Sequence, residues 1–267
     1  MDQINNKDER NENGLLIAER RSRILSLLAQ QGKVKVDRLS SEFGVSEVTI
    51  RRDLTNLEKE GLIERTHGGA ISSTKSRFEL SFDQKAIKNI EEKIRIAEKA
   101  LTMIEDGDTI MLDSGTTTFQ LAKRLGAKKD LTVVTNAINM ASELSVIPDL
   151  TLVILGGFFK PSTGATIGPM TIRDLQDMHV DKFFIGCNAF TIKSGLMTAD
   201  MNDAETRKAM INSAAQVIML ADSSKFGKTS FLSITTVDAI DVIISDSNLD
   251  LHTTSALREK GVNVILA

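Results

Sequence analysis

Apolar positions in the first quarter of the chain recur at helical spacing, whereas those in the rest gather in short runs. From Glu47 onward, Ile50, Leu54 and Leu57 fall at i, i+4 and i+7, which predicts an amphipathic helix. Ser46 supplies an N-cap hydroxyl, and Gly61 a residue that tolerates a left-handed stop. Opposite the stripe lie Val48, Arg52, Thr55 and Lys59, with Arg51 to one side. Lys35 to Phe43 predicts a shorter helix with Val36, Leu39 and Phe43 inward. Gly44 then turns the chain toward Ser46, giving helix-turn-helix spacing over 34–53. Leu62 to Ile71, with Gly68 and Gly69 at its tip, predicts a β-hairpin or wing. Ahead of these, Glu19 to Gln31 predicts a helix with Ile24, Leu27 and Leu28 inward. Arg20, Arg21 and Arg23 stand near its start, suited either to phosphate or to solvent.

The polar stretch Ser72 to Ser76 breaks this periodicity. A helix is expected from about Ile87 to Ile104, with Ile90, Ile94, Ala97 and Leu101 on one side. Seven short apolar runs follow: Thr109–Leu112, Leu131–Thr135, Leu150–Leu155, Lys182–Ile185, Val217–Leu220, Val242–Ser245 and Val262–Leu266. Such runs, separated by helical stretches, predict an α/β domain whose mainly parallel sheet is covered on both faces. The expected organisation is a disordered tail over 1–16, a winged helix-turn-helix over 17–72, a linker over 73–86 and an α/β domain over 87–267.

With 267 residues, two domains are expected. No apolar run is long enough for a membrane-spanning helix, and the N-terminus has no secretory pattern. The single cysteine, Cys187, excludes an internal disulfide framework and fits a cytoplasmic protein. Residues 16–75 hold 11 Lys/Arg against 8 Asp/Glu, a net of +3, while 76–267 carry a net of −4. That modest basic excess calls for paired copies rather than bulk charge if the chain binds nucleic acid.

A basic, hydroxyl-bearing helix face suits the major groove of duplex DNA, where arginine reads guanine edges or clamps phosphate. The candidate DNA contacts are Ser46, Glu47, Val48, Thr49, Arg51 and Arg52, with Arg65, Thr66, His67, Gly68 and Gly69 on the flanking backbone. Glu47 and Arg51 stand four apart and can simply pair, so Arg52 is the stronger base reader. In the second domain, ligand chemistry is expected at the carboxyl ends of strands. Asp113-Ser114-Gly115-Thr116-Thr117-Thr118 opens a helix after a strand and suits an anion, although any capped helix start favours the same residues. Thr135-Asn136-Ala137, Gly156-Gly157 and Asp222-Ser223-Ser224-Lys225 end other strands; singly each also reads as a turn. His67, His179 and His252 are scattered, so no metal site is expected. Asp200, Asp203 and Glu205 precede a helix, and the dipole accounts for them more simply than proton transfer does.

The run TIRRDLTNLEKEGLIERTHGGA, Thr49 to Ala70, resembles the signature of the DeoR family of bacterial transcription regulators. The loops DSGTTT, TNA, LGG, GLMTAD and ADSSKFG, in that order, resemble the family's sensor domain, so the likeness runs from about Glu19 to the end. It implies a C-terminal domain similar in fold to sugar-phosphate isomerases, without cofactor or catalysis, that binds a phosphorylated sugar as allosteric effector. By match it assigns Ser114, Gly115, Thr116, Thr117, Asn136, Gly156, Gly157 and Lys225 to the pocket lining, with Asp200 a weaker candidate for sugar hydroxyls. Gly186 to Phe190 departs slightly from the family, with Cys187 and Phe190 where smaller or β-branched residues are expected. The expected function is a homodimeric or tetrameric repressor of a carbohydrate-utilisation operon. Two other readings stand beside it: a sugar-phosphate isomerase with a regulatory N-terminal domain, and a winged helix used only for protein contact. The isomerase has no need of the N-terminal reader, and the basic face of the 46–52 segment argues against the protein-contact reading.

Overall fold

The computed structural model describes residues 17–59, 63–72 and 82–267. They belong to two compact units that divide between Leu80 and Ser81. The tail and Gly61 lie outside the described residues.

The first unit runs α1 (Ile17–Gln31), β1 (Lys33–Lys35), α2 (Val36–Phe43), α3 (Glu47–Lys59), β2 (Ile63–Thr66) and β3 (Gly69–Ser72). Its core is the set of apolar stripes legible in the sequence: Ile24, Leu28, Val36, Leu39, Phe43, Ile50, Leu54 and Leu57, all nearly or fully buried. The wing is larger than a hairpin. Lys33-Val34-Lys35 pairs antiparallel with β3, making a three-stranded sheet in the order β1-β3-β2. Lys35 therefore belongs to a strand, and α2 begins one residue later than the pattern implied. Gly69 sits where the strands meet. A Cβ there would lie 1.9 Å from the Val34 carbonyl oxygen, so only glycine fits.

One buried group joins the helices. Arg20 is 2% exposed and donates from Nε to Asp53 Oδ2 at 2.6 Å, and Arg21 reaches Asp53 Oδ1 at 3.3 Å. Arg23 pairs with Glu19 one turn away on the surface. Arg20 and Arg21, read from sequence as meeting phosphate or solvent, thus serve the α1–α3 contact. Asp53 draws them inward from a buried position on α3.

The second unit begins with α4 (Phe82–Ala86) and α5 (Ile90–Leu101). It continues through β4 (Thr109–Leu112), α6 (Thr116–Ala122), β5 (Thr132–Thr135), α7 (Ile138–Leu144), β6 (Thr151–Ile154), β7 (Phe158–Lys160), β8 (Ala165–Ile167) and α8 (Pro169–Leu175). Then come β9 (Val180–Gly186), β10 (Ala189–Thr191), β11 (Gly195–Thr198), α9 (Met201–Asn212), β12 (Ala214–Leu220), β13 (Leu232–Thr235), β14 (Val242–Ser245), α10 (Leu251–Glu259) and β15 (Asn263–Leu266). The seven apolar runs form one parallel sheet, ordered β15-β14-β12-β9-β4-β5-β6. Alternate residues serve opposite faces. Ile110, Leu112, Val133, Phe184, Ile218 and Ile244 pack with α5, α6 and α7, while Met111, Phe183, Ile185, Met219 and Ile243 pack with α8, α9 and α10. Two small additions lay outside the sequence reading: the hairpin β7–β8 and an antiparallel sheet β10-β11-β13.

Two expectations for the start of this unit change. The stretch read as linker contains α4, whose Phe82 ring meets Phe119 edge-on at 5.4 Å. The buried face of α5 is Lys93, Ile96, Ala97 and Ala100; of the expected stripe Ile90, Ile94, Ala97 and Leu101, Ala97 is buried and Leu101 packs at the edge of the core. Taking Ile96, Ala97 and Ala100 as the stripe, continued to the buried Ile104, places a lysine in the core.

Strand order fixes where a ligand fits. From β4 the chain moves outward to β5 and β6, then returns beside β4 as β9 and moves the other way to β12, β14 and β15. The β4/β9 junction is a topological switch point, where loops diverge above the strand ends and leave a crevice.

Candidate functional site

The outward face of α3 is set by what the inward face must do. Ser46 Oγ accepts from the Thr49 amide at 3.2 Å, the N-cap that opens the helix. With Ile50, Leu54 and Leu57 buried, Glu47, Val48, Arg51 and Arg52 project outward, and Val48 is 75% exposed. Thr49 is half-buried, its hydroxyl 2.9 Å from that of Ser46. Arg51 pairs with Glu47 at 3.0 Å, as spacing suggested, while Arg52 has no ion-pair partner among the described residues. In the wing, Thr66, His67 and Gly68 are exposed. Arg65 is half-buried, its Nη1 donating to Thr55 Oγ1 at 2.9 Å, so it braces the wing on α3. Lys33, Lys35, Glu47, Arg51 and Thr66 line one concavity between wing and helix. The face offers a methyl surface, the exposed Arg52 guanidinium and peripheral lysines, which together suit thymine methyls, base edges and phosphates.

The second site lies at the switch point. Gly115 and Gly186, at the ends of β4 and β9, approach so closely that a Cβ on Gly115 would lie 3.3 Å from Gly186 Cα and 2.9 Å from Asp113 Oδ1. Asp113 is buried below them. Oδ1 accepts from the Gly115 amide and the Thr118 hydroxyl, each at 2.9 Å, and Oδ2 accepts from the Gly186 amide at 2.9 Å and from Arg207. Arg207 also faces Asp203 at 3.5 Å, and Asp203 accepts from Thr198. This network fixes the loops without presenting itself to a ligand.

Around it stand the residues expected in the lining. Ser114 and Thr117 are buried and Thr116 half-buried at the start of α6. Asn136, at the end of β5, is 2% exposed; its amide donates to the Thr166 carbonyl at 2.8 Å, and its Oδ1 has no partner among the described residues. Lys225, in the turn after β12, lies 3.9 Å from Asp222 Oδ2. Gly156 and Gly157 follow β6, with the Gly156 carbonyl taking the Thr171 hydroxyl at 2.7 Å, which ties that turn to α8. Asp200 immediately precedes α9. It caps α9 by accepting from the Asp203 amide at 2.9 Å and pairs with Lys160 at 3.5 Å, the role that a helix start accounts for.

The structure also adds residues that the sequence reading missed. Asn89 donates to Asp222 Oδ1 at 2.8 Å, and Lys85 donates to Asn188 Oδ1 at 3.1 Å. Burial, then Lys225, brings the Lys93 amine down to about 8, with Lys85 and Lys88 adding to the effect. Lys228 is lowered by burial and then by Lys225 and Lys88. Lys225 and Lys88 act on both Lys93 and Lys228, so these cations gather around one carboxylate, Asp222. Asp222 itself stays below the usual carboxylate range: burial opposes this, but Lys225, Ser224 and Asn89 together outweigh it. Burial pushes the nearby Cys187 thiol up to about 12, leaving a neutral thiol at this edge. Among the described residues no three His, Cys, Asp or Glu side chains group as a metal site, and no helix is long and apolar enough to cross a membrane.

A winged helix-turn-helix followed by an α/β unit with a polar crevice is the build of a ligand-responsive DNA-binding regulator. Residues 20–76 match the DeoR-like helix-turn-helix domain, and residues 88–247 match the DeoR C terminal sensor domain. The chain is 37% identical over 250 residues to the uncharacterized HTH-type transcriptional regulator YulB of Bacillus subtilis, covering 94% of this chain and 96% of that one. It is 36% identical to the HTH-type transcriptional regulator GlpR of Haloferax volcanii, covering 94% and 98%. It is also 36% identical to a putative aga operon transcriptional repressor of Escherichia coli O157:H7, covering 93% of each. A solved D-ribose-5-phosphate isomerase in complex with phospho-erythronic acid aligns with 51% of this chain and 54% of its own, at 22% identity and a TM-score of 0.39. The chain belongs to the DeoR family of transcriptional regulators.

Proposed function

We propose that this regulator is a cytoplasmic repressor of a carbohydrate-utilisation operon, released from its operator by a phosphorylated sugar bound at the switch-point crevice. The observation that carries the reading is the joining, in one chain, of an outward α3 face free of packing duties with a lysine-rich crevice beside an unpartnered buried acceptor. The phosphate end of the effector belongs beside Lys225 and the Ser223–Ser224 turn. A sugar hydroxyl donating to Asn136 Oδ1 would satisfy an acceptor whose isolation costs about 1–3 kcal/mol. A family relative bearing the word repressor supports the sign of control. The modest charge of the reader favours at least a dimer on repeated or inverted half-sites.

Arg52→Ala tests the DNA-binding half. Loss of one base-reading guanidinium should weaken binding by about 1–3 kcal/mol and relax preference at one position. The measurement is a gel shift on duplexes selected from a random pool by the wild-type chain. Undiminished preference would remove α3 as the reader. A purified chain that selects no duplex, yet converts a phosphosugar, would instead establish the enzyme reading.

Lys225→Ala tests the sensor half. Coupling between effector and operator sites is typically about 1–3 kcal/mol. The variant should bind operator as the wild type does, yet fail to release it at effector concentrations that free the wild type. The effector is found by a thermal-shift screen of phosphorylated sugars, since a ligand of the native state raises its melting temperature with occupancy. A normal release by the variant would sink the pocket assignment.

Lys93 adds a pH signature. Its folded value, about 8, lies below its unfolded one, so near pH 8 the native amine is partly neutral. An incoming phosphate favours the charged form. Effector binding should therefore take up a proton near pH 8, and affinity should fall as pH rises through that value. Calorimetry in two buffers of different ionisation enthalpy reads the uptake; identical heats would count against a phosphate near Lys93.

A further inference from the structure

Residues 82–89, the segment that follows the linker in sequence, touch loops on both sides of the crevice. The Phe82 amide donates to the Ser162 carbonyl in the β7–β8 turn at 3.0 Å, and its ring packs edge-on against Phe119 of α6. Lys85 reaches Asn188 after β9. Asn89 donates to Asp222 at 2.8 Å and to Ser224 Oγ at 3.3 Å, both after β12. From below, buried Lys93 donates to the carbonyls of Lys85 and Lys88 and holds the last turn of the strap. Asn89 takes a left-handed backbone, φ 52°, which costs a non-glycine residue energy although asparagine tolerates it better than most.

We infer that the 82–89 strap is the transmitter between effector and operator sites, latched through Asn89 onto Asp222 and Ser224 in the DNA-binding state and unlatched by an anion at Ser224 and Lys225. The inference rests on the crevice being an anion sensor, and it adds the moving part. Asp222, Ser224 and Lys225 form one set: the Ser224 hydroxyl and amide both donate to Asp222, and Lys225 faces it. An arriving phosphate competes with the Asp222 carboxylate for the Ser224 hydroxyl and the Lys225 ammonium. Asn89 then loses the arranged acceptors that stabilise its strained backbone. Because the strap leads directly into the linker, its release changes the tether of the DNA-binding unit. Both sites bias one two-state element, which is what coupling between them requires.

The test needs no knowledge of the effector. Full-length Asn89→Ala and Asn89→Gly both delete the latching amide, and glycine also removes the backbone strain. Each should bind the duplex selected by the wild type about fivefold or more weakly, while the sensor unit keeps its melting temperature. In the wild type, hydrogen exchange of the 82–89 amides should slow when that duplex is bound. Affinities within about twofold of wild type, together with unchanged exchange, would overturn the latch. So would tighter binding, or weakening by Asn89→Ala alone, which assigns the effect to backbone strain. A sensor that melts early in both variants, with affinity lost in proportion, makes Asn89 a structural residue and equally overturns the inference. A wild-type chain that selects no duplex fails the reading beneath, which separates that failure from the latch's own.

Discussion

Asp53→Ala should cost the first unit about 3–5 kcal/mol, the usual penalty for stranding a buried charge. Arg20 is 2% exposed, its Nε is held by Asp53, and its Nη1 already has no partner among the described residues. Removing the carboxylate leaves the guanidinium between α1 and α3 with nothing to neutralise it. A unit this small has little stability in reserve. Operator binding should disappear although Asp53 lies on the buried side of α3, and hydrogen exchange across α1 and α3 should quicken while the sensor unit is unaffected. The double variant Arg20→Met, Asp53→Leu replaces the pair with apolar volume and should recover most of the stability. If Asp53→Ala melts like the wild type, the pair is not what holds the helices.

Asp113→Ala should have a comparable effect on the second unit, about 3 kcal/mol or more. Its carboxylate accepts from the Gly115 and Gly186 amides, the Thr118 hydroxyl and Arg207, so one substitution takes an acceptor from each of four donors, of which Thr118 keeps the Asp113 and Gly115 carbonyls. Asp203 remains at 3.5 Å from Arg207 and offsets part of the loss. The expected result is a lower melting temperature for the sensor unit and no thermal shift from the effector. Asp113→Asn keeps one oxygen, enough for the donors on Oδ1 or those on Oδ2 but not both, and turns an NH2 toward the others, so it should recover little of the loss. Full stability in Asp113→Ala would show that the Gly115–Gly186 approach holds the loops unaided.

Much of this architecture was legible in the sequence. The parallel strands announced themselves because burial on both faces turns each into an unbroken apolar run, and the stripes of α2 and α3 fixed the helix-turn-helix. Strands of three residues such as β1, β7 and β10 carry too few positions to set a period, so pairing alone defines them. Charged residues on helices read as solvated by default. That default hid Asp53 with Arg20, and it hid Lys93 on the buried face of α5. Ser114, Asn136 and Lys225 could be named as candidates because strand-end loops are where ligands bind in such sheets. Asn89 could not, since its hydrogen bond to Asp222 spans 133 positions and leaves no local trace.

The outer surface of α3 has a consequence for how such regulators diversify. Val48 is 75% exposed, and Glu47 and Arg52 contribute nothing to the apolar core beneath them. Substitutions there are free to drift without endangering the fold. Under the proposed function, a duplicated copy could thus acquire a new set of target genes while keeping its effector, and a change of effector could arise separately in the second unit.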